Sequence, residues 1–405
     1  MTTTTPERSA TYSGVLAHQQ FRVLFISRFA AIIADTLRIL ALSVLVYATT
    51  GSALLAAVTY GIGFLPQAVG GMLIGSLADR LPPRRLLVAG YLIEAVVALL
   101  LAGLQMPVPI ALCLVAAVAC VTPVFNGASS RLVAATLSGD SYVLGRSMSS
   151  MSSSAGQLLG LAAGGATIAA LGARAALAVC AALHLTAAGM VRLRLDSHPA
   201  AVAARRLRGT VTSTLRGNRQ LLTDRRVRAL LLAHWLPAGL SVGAEALLVP
   251  YTTVRHLPAG STGLLLAALP IGMLLGDLVV GRLLKPQTRE RAAPWLVALL
   301  GGPLLVFLSR PGLLISLVVL AAAGCGFSYT LGLQRMFLAV LPAELQGQAF
   351  TLLSTGMMTA QGLGPVLFGA FAVWASVPAA MATSGLLVAC TSGVVSISQR
   401  RDTKP

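Results

Sequence analysis

Apolar residues along this chain come in long runs broken by short polar clusters, and most runs reach the roughly 20 residues that a helix needs to cross a bilayer. They predict span 1 over about Phe21–Thr49, span 2 over Ala53–Ala78, span 3 over Leu86–Leu104 and span 4 from Pro107 to Arg131. Span 5 runs from about Tyr142 to Leu171 and span 6 from Ala175 to Val191. The stretch His198–Arg228 then turns polar and basic, carrying Arg205, Arg206, Arg208, Arg216, Arg219, Arg225, Arg226 and Arg228, and reads as a linker. Six further runs follow, at about Ala229–Pro250, Thr262–Leu284, Ala292–Leu308, Leu313–Leu333, Gln348–Trp374 and Pro378–Ser396. The pattern predicts an all-α membrane protein of about twelve transmembrane helices in two pseudo-symmetric six-helix halves. The halves are residues 21–197 and 229–398, joined by the basic linker 198–228 and flanked by tails over 1–20 and 399–405.

The halves repeat each other in detail. At a shift of 204 positions Arg131 meets Arg335, Asp140 meets Glu344, Gln157 meets Gln361, Gly160 meets Gly364 and Gly165 meets Gly369. A nearby shift lays Gly71–Leu77 over Gly272–Leu278. Matches of Ala and Leu come cheaply in such a sequence; matches of Arg, Gln and Gly at one offset do not. Repeated halves of this kind in transporters place a substrate site near the midplane, between the repeats.

Composition agrees. Of 405 residues 56% are hydrophobic and 10% charged, against about 25% charged in a soluble domain. The net charge of +18 sits in short loops and the linker without interleaved aromatics, which fits membrane orientation and not nucleic acid. With the N-terminus cytoplasmic, the outer loops hold only Arg174, Arg255 and Arg310, and the inner loops hold nearly all other basic residues. Both termini are then cytoplasmic. The basic residues are arginines apart from Lys285 and Lys404, a bias that with abundant Ala and Leu suggests a GC-rich bacterial genome and a bacterial cell membrane. The N-terminal 20 residues are polar and read as a tail, not a signal peptide. Five cysteines lie in apolar runs with no metal-ligand spacing, so they read as small packing residues.

Span 2 runs into Gly71–Met72–Leu73–Ile74–Gly75–Ser76–Leu77–Ala78–Asp79–Arg80–Leu81–Pro82–Pro83–Arg84–Arg85. Prolines end the helix there, since they lack the N–H and clash with the preceding turn. This stretch resembles the signature loop between helices 2 and 3 of the major facilitator superfamily, Gly-x-Leu-Ala-Asp-Arg-x-Gly-Arg-Arg, with Pro82 where the family has glycine. The resemblance implies a cytoplasmic gate. Asp79 would face the N-terminus of span 11, where the helix dipole favours an anion, with Gly75, Arg80, Arg84, Arg85, Arg131 and Asp140 around it. The phrase Phe21-Arg-Val-Leu-Phe-Ile-Ser-Arg28 … Ala34-Asp35 further resembles helix 1 of the drug:proton antiporter branch that includes macrolide-efflux and siderophore-export proteins.

An ionisable residue inside a span costs about 2.5–3.5 kcal/mol on insertion scales and so calls for a reason. Asp35 sits mid-way along span 1 with Arg38 as its i,i+3 neighbour. It reads either as a structural ion pair or as a proton-coupling carboxyl. Glu245, in the counterpart span 7, and Glu94, in span 3, are the other proton-coupling candidates. Asp277 lies near a span end where it can reach interfacial water; His184 and His234 read as packing residues. Arg38, Tyr60, Phe64, Gln67, Asn126, Gln157, Trp235 and Gln361 are substrate-cavity candidates, an aromatic and weakly charged set suited to a bulky amphipathic molecule. Gly156, Gly160, Gly164 and Gly165 in span 5, and Gly364, Pro365 and Gly369 in span 11, are spaced for close helix packing. The first set resembles the family's antiporter motif Gly-x-x-x-Gly-Pro-x-x-Gly-Gly, with Leu161 in place of proline.

No phosphate-binding loop, metal cluster or nucleophile motif is present. The reading is therefore a non-enzymatic secondary transporter: a monomer without cofactor or metal that takes protons and a small-molecule substrate across the bilayer and does not bind nucleic acid. The preferred function is proton-coupled export of a hydrophobic or amphipathic compound. An uptake symporter for a metabolite and a non-transporting sensor or scaffold remain alternatives.

Overall fold

A computed structural model of the chain describes residues 11–74, 81–137, 139–196, 210–341 and 345–400. Every regular element among them is helical, as a chain in lipid requires, because a helix satisfies its backbone hydrogen bonds internally. Eleven helices are long and apolar enough to cross a membrane, and Val377–Gly393 is a shorter apolar one.

Span 1 is Gln19–Thr50, preceded by a short helix Tyr12–Ala17. Span 2 is Ala53–Gly61 continued by Phe64–Ile74, span 3 Pro83–Gly103, span 4 Val108–Thr136, span 5 Gly139–Leu171 and span 6 Ala173–Arg194. Within the linker region Thr210–Thr223 is a helix, and its Leu221 is buried in the core of the second half. Span 7 is Arg225–Ala246 continued by Leu248–Val254, and span 8 is Ser261–Leu283. Span 9 is Pro286–Gly301 with a 3₁₀ extension Gly302–Ser309, and span 10 is Leu313–Gly326 continued by Tyr329–Val340. Span 11 is Gln346–Trp374 and span 12 Val377–Arg400.

Three departures from the expected boundaries have local causes. Span 2 breaks after Gly61 because Pro66 has no N–H for the Ile62 carbonyl. Span 7 breaks after Ala246 for the same reason, Pro250 standing four residues on. Span 7 also starts earlier than its apolar run, at Arg225, because Asp224 caps it: the Arg226 and Val227 N–H groups donate to Asp224 Oδ1 at 2.7 and 3.2 Å.

Glycines set how closely the spans cross, and the crossings come in pairs. In the first half, a Cβ added at Gly160 of span 5 would lie 2.9 Å from the Ile33 carbonyl oxygen of span 1. At the equivalent place, a Cβ on Gly364 of span 11 would lie 2.0 Å from the Gly239 carbonyl oxygen of span 7. Gly70 crosses span 4 at Cys120 (spans 2 and 4), and, one position out of the repeat's register, Gly272 crosses span 10 at Ala321 (spans 8 and 10). Gly156 and Gly164 also lie on span 1, against Ile32 and Leu37.

The halves meet by the same logic. Gly165 of span 5 rests on Gly260 and Gly263 of span 8, and its counterpart Gly369 of span 11 rests on Leu54 and Ala57 of span 2. Gly61 meets Pro365, and Gly362 meets Leu65, along the same line. Most of these contacts lie toward the ends where span 1 finishes and span 2 begins, with Gly362–Leu65 nearer mid-depth, so among the described residues the halves are joined toward the face opposite the linker. This structure is closed on that far face.

Closure of the far face therefore depends on backbone approaching backbone at Gly165 and Gly263. A Gly263→Leu variant is expected to stay folded but fail to close, so that a cysteine placed at Thr253 reacts several-fold faster with a membrane-impermeant maleimide. Unchanged reactivity would show that this crossing does not close the face.

Candidate functional site

Ionisable residues from three spans of the first half converge at mid-depth. Asp35 and Arg38 are one turn apart on span 1, with Arg38 Nη2 3.4 Å from Asp35 Oδ1. Arg38 Nη1 lies 2.6 Å from Glu94 Oε2 on span 3, and His184 Nε2 on span 6 lies 3.4 Å from Asp35 Oδ1. The side chains of Arg38, Glu94 and His184 are 9%, 7% and 1% exposed, whereas Asp35 is 30% exposed, so Asp35 is the member a proton can reach. Close packing of spans 1, 3 and 6 brings the four groups together; sequence spacing shows only the Asp35–Arg38 pair.

Charge counting states what this cluster can do. One guanidinium faces two carboxyls, so the group is neutral only when one proton sits on Asp35, Glu94 or His184. Such a proton belongs to the cluster and not to one residue. Ligand atoms of Asp35, Glu94 and His184 lie within 4.8 Å of one another, a spacing a metal ion could use. The Arg38 guanidinium already supplies positive charge there.

Glu245 occupies a different kind of place. The Tyr60 O–H of span 2 donates to Glu245 Oε1 of span 7 at 2.6 Å. This hydrogen bond joins the two halves, on the side of the midplane where they close. It pairs a cavity candidate with a proton-coupling candidate 185 residues away.

The remaining candidates are placed as follows. Trp235 donates its indole N–H to the Leu353 carbonyl at 2.9 Å and packs under Gly356, which ties span 7 to span 11. Phe64, Gln67 and Gln361 are half-buried, and Gln157 is exposed. Asn126 lines a cavity together with Arg28. His234 sits on Phe337 with Nδ1 2.8 Å from the Leu230 carbonyl, a packed and satisfied ring. His184 differs, since it faces Asp35, and no spacing in the sequence announces that contact. Asp277 accepts a 2.8 Å hydrogen bond from Ser328 at the break in span 10, so it is held by the protein and not merely by water.

Of the signature loop, Gly75, Asp79 and Arg80 lie outside the described residues, as does the Asp140 side chain. Its basic end is fixed to the first half: Arg84 donates to the Arg192 carbonyl of span 6, and Arg131 donates to the Leu81 carbonyl at 3.1 Å. Arg85 is exposed.

Comparison with known proteins agrees with this architecture. The family model described as Major Facilitator Superfamily matches residues 24–334, about three quarters of the chain. No curated protein sequence matches. Among solved structures, a POT family transporter in complex with 5-aminolevulinic acid superposes with TM-score 0.73 at 10% identity, covering 95% of this chain and 96% of that one. The nucleoside transporter NupG gives 0.72 at 15% identity, with 95% and 100% covered. A bacterial homologue of the human lysosomal transporter Spinster, inward-facing and unoccupied, gives 0.69 at 14%, with 94% and 95% covered. At these identities the likeness is one of fold.

Arg38 is the cation beside the buried Glu94, so removing it alone leaves that carboxyl uncompensated. Arg38→Met is expected to cost about 3–5 kcal/mol, and adding Glu94→Gln in the same chain to recover much of it. Thermal unfolding in detergent checks this; equal losses in the single and double variants would break the assigned pairing.

Proposed function

The chain belongs to the Major Facilitator Superfamily, and on that premise we propose that it is a proton-coupled exporter of an amphipathic small molecule. It works by alternating access of halves 21–197 and 229–398, in a bacterial cell membrane with the linker face cytoplasmic. The observation that carries the proposal is the Tyr60–Glu245 hydrogen bond, a protonatable carboxyl built into the contact that closes the far face. When that face opens, the bond breaks and Glu245 meets water from outside. When it closes, Glu245 leaves that water, and its charge then has to be compensated or removed. Taking a proton on one side and losing it on the other ties proton flow to the movement.

Asp35, with Arg38, Glu94 and His184, holds a second exchangeable proton inside the first half. The loop from Gly75 to Arg85, with Arg131 and Asp140, gates the linker face. Its anchorage through Arg84 and Arg131 moves it with the first half. The basic linker and the scarcity of arginines on the far side support the orientation. The span 1 phrase ending in Asp35 and the glycine series of span 5 support export and the antiporter branch. Substrate contacts fall to the half-buried groups that line the space between halves, Phe64, Gln67 and Gln361 among them, with the protein acting as a monomer.

The test is uptake of a panel of fluorescent cationic, neutral and anionic compounds into inverted vesicles, with and without a protonophore. Protonophore-sensitive accumulation of one class is expected, lost in Glu245→Gln and weakened in Asp35→Asn. Tyr60→Phe should keep transport but shift its pH profile. Transport that ignores the protonophore, or keeps its proton dependence in both carboxyl variants, would overturn the coupling.

A further inference from the structure

On the linker side of the first half, spans 1, 4 and 5 enclose a cavity of about 290 Å³. Its lining is apolar at Phe21, Leu24, Phe25 and Val133 and polar at Arg28, Asn126 and five serines. Arg28 has no carboxylate within ion-pair distance among the described residues, unlike Arg38 nearly three turns further along the same helix. Guanidinium groups at membrane depth are expensive and ordinarily paired.

The serines divide into two kinds. Ser149 and Ser153 spend their hydroxyls on their own helix, donating to the Gly145 and Ser149 carbonyls at 2.9 and 3.0 Å. Ser152 is 7% exposed, and its Oγ has no hydrogen-bond partner among the described residues. A buried hydroxyl left unmade costs on the order of 1–3 kcal/mol. Asn126 Oδ1 is likewise unpartnered, and its amide, turned over, presents N–H groups instead.

We infer that this cavity binds the anionic end of an amphipathic molecule, a carboxylate or phosphate paired with Arg28, hydrogen-bonded by Ser152 and Asn126, and flanked by Phe21 and Phe25. A planar guanidinium takes two oxygens of such a group at once, and Phe21 and Phe25 take the apolar body. This rests on the transporter reading and sharpens it, since it replaces an unspecified amphipathic cargo with an anionic one. The same chemistry is offered by a membrane-permeating organic acid and by a phospholipid headgroup.

The test is equilibrium binding to the full chain in phosphatidylcholine nanodiscs, read by fluorescence. The probes are dansyl-labelled undecanoate, its methyl ester and a trimethylammonium analogue. The carboxylate should bind about tenfold tighter than the ester, as one charge-assisted contact implies, and the cation should bind no better than the ester. Arg28→Gln should erase the carboxylate preference while leaving ester binding in place, which also shows that the variant is folded. Arg28→Lys should keep part of the preference, and Ser152→Ala should reduce it several-fold. Phosphatidylglycerol in the disc that displaces the carboxylate through Arg28 would assign the anion site to a lipid headgroup; no displacement would assign it to the small acid. A carboxylate-to-ester ratio near one in the unaltered chain, or an Arg28→Gln variant with its preference intact, would overturn the inference. Because no proton gradient enters this experiment, its failure leaves the coupling at Glu245 standing, and loss of coupling leaves this binding result standing.

Discussion

Everything in this molecule depends on how closely one helix backbone can approach another where no water can help. In lipid the helices gain little from hiding apolar side chains, since the surroundings are equally apolar, so contact distance and small residues decide which spans pair. At Gly70, Gly160, Gly272 and Gly364 a glycine meets the carbonyl oxygen of a neighbouring span. Gly160 and Gly364 stand at matching positions of the two halves, and Gly70 and Gly272 within one residue of such a match, so the same bundle is built twice. Gly165 and Gly369 carry the rule across the interface. The contacts between halves thus use the device that builds each half, joined among the described residues by a buried apolar cluster in which Leu40, Ala57 and Leu161 of the first half pack with Leu247, Leu265 and Phe368 of the second.

Against this apolar frame the interior charges fall into two classes. Asp35, Arg38, Glu94 and His184 lie within one half and move as a unit with it, so their mutual distances need not change during transport. Tyr60 and Glu245 lie on opposite halves, so their distance must change. On the proposed mechanism a proton in the first place is stored, and a proton in the second place is felt by the conformation. Coupling requires a site of the second class, and a carboxyl there is costly enough in lipid that packing alone gives little reason for it.

Much of the fold was legible in the sequence because its signals are local. Apolar run length gives the spans, the shift of 204 residues gives the two halves, and glycines at matching offsets mark the crossings. The breaks in spans 2 and 7 were not legible, because Pro66 and Pro250 break their helices while Pro123, Pro237, Pro270, Pro294 and Pro365 sit inside continuous ones. The site was legible only as far as one helix reaches. Asp35–Arg38 follows from i,i+3 spacing, whereas Glu94, His184 and the Tyr60–Glu245 pair depend on how spans rotate about their own axes, which single-sequence periodicity fixes poorly when a span is apolar all round. His184, read as packing, is the clearest case: its ring is buried as expected, but against a carboxyl.

Arg28 and Asp35 share span 1, seven residues and about 10 Å apart by helical rise. At that distance unit charges interact by about 0.4 kcal/mol in water and about 1.6 kcal/mol at an effective dielectric near 20. An anion on Arg28 cancels a positive charge that favours the ionised Asp35, so anion and proton assist each other's binding in the first half, and by linkage the assistance is mutual. Assistance of that sign loads substrate and proton together. Exchange needs the opposite, a proton that leaves where the substrate enters. In an exporter of an anionic molecule the exchange must therefore be carried by Glu245, on the other half and beside the closing contact, while the Asp35 cluster follows the occupancy of Arg28. The division of labour between the two carboxyls then follows from the sign of the cargo's charge.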